Sequence, residues 1–343
     1  MLWNIRLVCA LASLSTVASV ACAQEDHPAA THDAPDVAAE TTEEQAPFRL
    51  NLPEWNPDPE SLPPELRPLD VVRPVLPEDV AAEVAELEAR IAELEPLGLS
   101  AETRAEQNAA LDEAIELAER VLALRVEHQG NTDGVVRWRD AAGEPVEWHE
   151  VIAARRTLAD LQVIRGLDDA ARAELASLGG TNAEVVRLYG AGDFTGAQAI
   201  TERQLDIHRR VLGDEHPSAL ESIGNMGVLL QAQGKLSEAE PYNREALEGR
   251  RRVLGGEHPN TLTSINNMGL LLQAQGKLAE AEPYYREALE ARRLVSGDDH
   301  PDTLASINNM GFVLQAQGKL AEAEPYYREA LEGRRRVLGG EHP

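Results

Sequence analysis

The sequence predicts an all-α fold: an α-α superhelix of stacked antiparallel helix pairs, preceded by a disordered, acidic, proline-rich segment. Three observations predict it. Residues 255–296 and 297–338 agree at 33 of 42 positions, and residues 213–254 match the last block at 33 positions too, so one unit recurs at a fixed period. Within each unit apolar residues fall at helical spacing, as Leu262, Ile265, Met268 and Leu272 do in the middle copy. Aromatic residues make up only 4% of the chain, which fits a helical protein rich in Ala, Leu, Glu and Arg. One helical hairpin of this size cannot bury its apolar face alone, so neighbouring copies must stack to cover it.

Taken in order, residues 1–23 read as a secretory signal peptide. Arg6 is the only charge, Leu7–Val20 is an apolar run too short for a membrane span, and Ala21-Cys22-Ala23 supplies small residues for cleavage ahead of Gln24. The expectation is export, periplasmic or secreted, from a bacterial-type cell, with no membrane span after cleavage. The alternative is a lipoprotein anchored at Cys22, although Ser19-Val20-Ala21 lacks the Leu usual before an acylated Cys. Cys9 and Cys22 are the only cysteines, so no disulfide framework follows them.

Residues 24–78 form a linker. Residues 24–77 hold 11 of the 20 prolines among acidic neighbours, a composition that buries too little apolar surface to offset chain entropy. A spacer is the favoured reading; Phe48, Leu50, Leu52 and Trp55 could also form a short docking motif. Residues 79–180 are an irregular helical cap over the first repeat. Val80, Val84, Leu87, Ile91 and Leu94 give a helix ended by Pro96 and Gly98; Ala109–Val126 is a second, Trp148–Ile164 a third, and Gly166–Leu178 a short fourth. Gly130–Pro145 reads as a surface loop or small hairpin.

Residues 181–212 are a degenerate repeat with a shortened first helix: Gly192, Phe194 and Ala197 stand 42 residues before Gly234, Leu236 and Ala239. Three full units follow, 213–254, 255–296 and 297–338. In the middle unit Asn260 is the expected N-cap, with Ser218 and Asp302 in the other copies. Gly276 ends the first helix, and Ala279–Val295 forms the second, burying Ala281, Tyr285, Ala288 and Leu289. Pro283 predicts a slightly irregular first turn, and Arg292 and Arg293 suit the negative helix end. Asn243 puts an amide where Tyr285 and Tyr327 stand, which predicts a looser unit over 213–254. Residues 339–343 restart the unit. The sequence thus leads one to expect either further repeats or an apolar flank that frays or self-associates.

The residues Ile265, Met268-Gly269, Leu272, Ala281, Tyr285 and Ala288 resemble the tetratricopeptide repeat. Gly269 and Ala281 are small where two helices cross. The period of 42 rather than about 34, and the Leu-Gly-(Gly/Asp)-Glu-His-Pro junctions, are similar to the kinesin-light-chain type of repeat. The resemblance implies a non-enzymatic protein–protein interaction scaffold whose concave groove is lined by the first helix of each unit. It puts Asn225, Asn267 and Asn309 where related arrays hold a bound peptide backbone, a task suited to an amide that donates and accepts at once. Gln231, Gln273 and Gln315 extend that row, with Val228, Leu270 and Phe312 between. The copies differ at Glu221/Thr263/Ala305, Gly224/Asn266/Asn308 and Val228/Leu270/Phe312 while the core positions hardly change, as partner specificity on a fixed scaffold would require and as drift at exposed positions would also leave them. The resemblance also carries an alternative: long bacterial proteins with such repeats often have a caspase-like peptidase domain, of which this chain would be the regulatory or substrate-recruiting part.

Catalytic constellations are not found in the sequence. His149-Glu150 begins like a zinc-protease helix, but Ala153 stands where the second ligand belongs. His216, His258, His300 and His342 recur once per unit, yet stacked helices lie about 8–10 Å apart and zinc–nitrogen bonds are about 2 Å, so neighbouring copies cannot share one ion. The His-Pro step is expected to shape the inter-repeat turn instead. Glu280 and Glu282 read as a solvated helix face, and Arg250–Arg252, Arg292–Arg293 and Arg334–Arg336 as a basic ridge. No cofactor or metal is expected. The net charge of −27 argues against nucleic acid and anionic membranes. The groove row carries no Lys or Arg to clamp an acidic C-terminus, so an extended peptide with small apolar side chains fits better.

Overall fold

The computed structural model describes residues 62–63, 73–131, 138 and 147–338. The leader, most of the linker including Phe48, Leu50, Leu52 and Trp55, most of the segment 130–145, and residues 339–343 lie outside the described residues. Among those described, helix is the only regular structure: α1 Glu78–Ser100, α2 Arg104–Gln129, α3 His149–Gly166, α4 Asp169–Ala176, α5 Thr181–Gly190 and α6 Phe194–Leu212. Then come α7 Pro217–Ala232, α8 Leu236–Leu254, α9 Pro259–Ala274, α10 Leu278–Ser296, α11 Pro301–Ala316 and α12 Leu320–Leu338.

Helices α1, α2 and α3 pack around Leu111, Ala114, Ala118 and Leu161. The expected stop at Pro96 and Gly98 does not occur; α1 runs through both to Ser100. Gly98 is there for packing, since a Cβ would stand 2.5 Å from Leu111 Cγ on the crossing helix. Helix α2 starts earlier than expected because Thr103 and Glu106 form a reciprocal capping box. The degenerate repeat is α5 and α6, and its first helix has 10 residues against 16 in α7.

In the full units the anticipated faces are buried: Leu262, Ile265, Met268 and Leu272 on α9, and Ala281, Tyr285, Ala288 and Leu289 on α10. The expected N-caps are corrected. His258, not Asn260, caps α9: its Nδ1 accepts the Asn260 N–H at 3.1 Å. His216 and His300 do the same for Ser218 and Asp302, each at 3.2 Å. The proline explains this. It takes the first helical position, where no N–H is needed, and holds the preceding histidine in extended backbone, its ring free to accept. Gly276 sits at φ 76°, and Lys277 N–H closes back on Leu272 O at 2.8 Å, ending α9. Helix α10 opens with a bond of 3₁₀ spacing, Glu280 N–H to Lys277 O at 3.1 Å, and contains Pro283.

One hydrophobic core runs through the stacked units from Leu205 to Ala330. Polar ties repeat between them. Arg250 Nη1 donates to Ser264 Oγ at 2.7 Å and Arg292 Nη1 to Ser306 Oγ at 2.7 Å. Gln275 donates to Glu240 at 3.1 Å and Gln317 to Glu282 at 3.0 Å, where Lys319 also reaches at 3.0 Å. Hydrogen bonding to Gln275, with Arg244 behind it, holds the Glu240 carboxyl below its usual range. These ties overturn two expectations. Glu282 is a joint between units rather than a solvated residue. The basic ridge does not form: Arg250, Arg292 and Arg293 are buried, while Arg251 pairs with Glu287 and Arg252 with Glu215.

The N-terminal helices do more than cover the first repeat. Trp138, Trp148 and Val151 cluster with Val295, and Trp138 Nε1 donates to Glu257 Oε2 at 2.7 Å. Arg73 donates to Arg293 O at 2.8 Å and Leu294 O at 2.9 Å. Leu62 is buried in the core of the repeats. This part of the expected linker therefore lies on the array.

Candidate peptide-binding face

Helix spacing puts 221, 224, 225, 228 and 231 of α7 on one face, with their counterparts on α9 and α11. Moving from α7 to α11, this face changes character. Val228 and Leu270 are half-buried, whereas Phe312 is 40% exposed. Glu221 gives way to Thr263 and then Ala305. Burial pushes the Glu221 carboxyl above its usual range, the nearby Arg250 opposing this. The Thr263 hydroxyl is turned back onto its own helix, donating to Pro259 O at 3.0 Å.

The amides divide into engaged and free groups. Asn309 Nδ2 donates to Asn266 Oδ1 at 2.8 Å, a bond between successive units. The same bond cannot form one unit earlier, because Gly224 stands where Asn266 would be. Asn267 also has a buried Oδ1 with no hydrogen-bond partner in the protein. Asn225 and Asn308 are half-buried. Gln273 Oε1 accepts from the Tyr285 hydroxyl at 3.0 Å, and Gln315 Oε1 from Tyr327 at 2.5 Å. Each tyrosine thereby fixes the amide so that its NH₂ remains the available donor. Asn243 replaces the tyrosine near Gln231; its Oδ1 sits against Gly227 and its Nδ2 is buried without a partner. Sequence reasoning missed these tyrosines as supports of the face, although the Gln-to-Tyr interval of twelve residues was there to be read.

The histidine column has a structural explanation, since each described member is a helix cap. Burial lowers the His258 pKa to about 3 and that of its neighbour His149 to about 4. Among the described residues no group of three or more His, Cys, Asp or Glu side chains could hold a metal ion, and no helix is long and apolar enough to cross a membrane.

The continuous stack of helix pairs makes this an α-helical repeat protein. Its repeats are tetratricopeptide repeats: residues 187–252 and 218–293 match one family model of that description, and residues 303–343 match a second. The chain thus carries tetratricopeptide repeats over residues 187–293 and 303–343, and such repeats form protein–protein interaction scaffolds, typically without catalysis. Similar solved structures include a putative kinesin light chain of Podosopora anserina with nearly identical repeats: 20% identity, 75% of this chain, 98% of that chain, TM-score 0.39. BtubC (BKLC) of P. vanneervenii aligns over 78% of this chain and 95% of its own at 18% identity and TM-score 0.42. No curated protein matches.

Proposed function

We propose that the shared face of α7, α9 and α11 grips an extended stretch of another polypeptide, and that the protein works as an adaptor without catalysis. The observation that carries this is the buried, unpartnered Oδ1 of Asn267. Such an acceptor costs about 1–3 kcal/mol when left unpaired, and a peptide backbone N–H is a donor of the right kind. The adjacent Gln273 NH₂ offers the complementary donor for a peptide carbonyl, and Leu270 and Phe312 offer apolar contact. With no Lys or Arg on the face, the ligand is an internal extended segment rather than an acidic terminus.

The leader-like residues 1–23 support export to the periplasm or beyond, with Cys22 anchoring as the alternative; the mass of the mature N-terminus separates the two. The peptidase-recruiting alternative rests on resemblance alone. The binding test compares affinity capture by the full chain with capture by Asn267→Ala. The account expects a polypeptide that the parent retains and the variant loses, at a melting temperature no lower than the parent's. Equal capture by both would overturn it.

A further inference from the structure

The candidate face carries a single charge. Among positions 221, 224, 225, 228 and 231 of α7 and their counterparts on α9 and α11, only Glu221 is ionisable; Thr263 and Ala305 take its place in the later units. An acid on an open helix face is ordinarily solvated and needs no explanation. Glu221 is not in that situation. It is half-buried, and among the described residues no hydrogen bond or ion pair engages its carboxyl. Other acids of the array are matched: Glu240 with Arg244 and Gln275, Glu245 with Arg209, and Glu287 with Arg251. Gly224, one turn on, offers it no side-chain donor, where the later units have Asn266 and Asn308. Burial therefore raises its carboxyl above the usual range.

A structural task for this carboxylate would be to balance Arg250, the cation whose charge reaches it. The repeats argue against that task. Arg250 is committed elsewhere: its Nη1 donates to Ser264 Oγ at 2.7 Å and to Asn260 O at 3.3 Å. In the next unit Arg292 makes the same two bonds, to Ser306 Oγ at 2.7 Å and Asp302 O at 3.2 Å, with Thr263 where the acid would be. The buried arginine thus keeps its joint without an acid at this position.

We infer that Glu221 is a specificity residue of the face, pairing with an Arg or Lys side chain of the bound polypeptide. This rests on the reading of the face as a peptide-binding trough and adds the chemistry of the ligand. The cation lies against the unit 213–254, and an apolar side chain lies against Phe312 two units further along. A guanidinium suits the place best, because its fork meets both carboxylate oxygens and it sheds water more readily than an ammonium. A segment with an acidic side chain at that point is rejected by like charge.

The probe is a phage-displayed library of random linear peptides, selected on the full chain and in parallel on Glu221→Gln and Glu221→Lys. Peptides retained by the parent should share an Arg or Lys. Glu221→Gln should retain peptides without that preference, and Glu221→Lys should turn it towards Asp or Glu. A synthetic peptide from the parent's pool should bind Glu221→Gln about tenfold more weakly, and replacing its cation by Ala should cost little further in that variant. The variant should melt no lower than the parent, since the carboxyl holds no bond within the chain. Two failures are separable. Peptides that lose binding to Asn267→Ala, yet share no cation or bind Glu221→Gln equally, would overturn this inference and leave the trough standing. Peptides indifferent to both substitutions, or no retained peptide, would overturn the trough and this inference with it.

Discussion

Residues 213–254 and 255–296 share a backbone plan and differ in how their interior is finished. In the later unit Tyr285 is fully buried, lies against Gly269, and fixes Gln273 through its hydroxyl. In the earlier unit Asn243 fills that place, buried with an unpartnered Nδ2, and Gln231 loses its support. On the groove side the same pair differs again, Gly224 against Asn266 and Glu221 against Thr263. The lesson is that one scaffold separates two jobs. Second-helix residues set how firmly a unit is held, and first-helix residues set what it offers to a partner.

The largest effect should come from deleting the better-finished interior. Tyr285→Ala is expected to cost ~3–5 kcal/mol in denaturant unfolding, through the cavity and the freed Gln273. A cost below that of Asn243→Ala would break the comparison. Next is pH. His258 is a base whose pKa is lower folded than unfolded, so the unfolded chain takes up the proton more readily. Its stabilising contribution is complete above about pH 6.5 and is lost as pH falls from there towards about 3. Stability should drop by about 2–4 kcal/mol across that window, and His258→Asn, which keeps an N-cap acceptor, should flatten the slope. A variant with the parent's full slope would assign the effect elsewhere.

Asn243→Tyr should sharpen the comparison in the opposite direction. Relieving a buried unpartnered amide and restoring the pair with Gln231 is expected to raise stability by about 1 kcal/mol, read from the unfolding midpoint. The smallest effect is in native-state hydrogen exchange. Amides of α8 should exchange faster than those of α10, and equal protection would show that Asn243 is tolerated without loosening its unit.

Much of this was legible in the sequence. A repeated unit with apolar spacing specifies helix pairs, their order and their buried faces, because each copy votes for the same answer. The failures share a cause. Asn260 matched an N-cap by residue type, but His258 took the role because Pro259 fixes the local backbone. Gly98 resembled a terminator, yet it serves a helix crossing that only three-dimensional packing reveals. Arg292 and Glu282 look exposed when one helix is read alone, and become joints once the neighbouring unit is placed. On the candidate face, sequence marked a row of residues that lies on one side of the first helices. It could not show that Asn309 donates to Asn266 while Asn267 has only Gly224 at that place, because that bond joins residues from different units.

The central claim, that first helices line a trough that holds another polypeptide, is tested most directly by site-specific photocrosslinking. A photoreactive phenylalanine is placed at Leu270 on the candidate face, and in a second protein at Glu290, exposed on the second helix of the same unit. The account predicts polypeptide adducts from position 270 and none from position 290. Adducts from 290 alone, or equal yields from both, would contradict it.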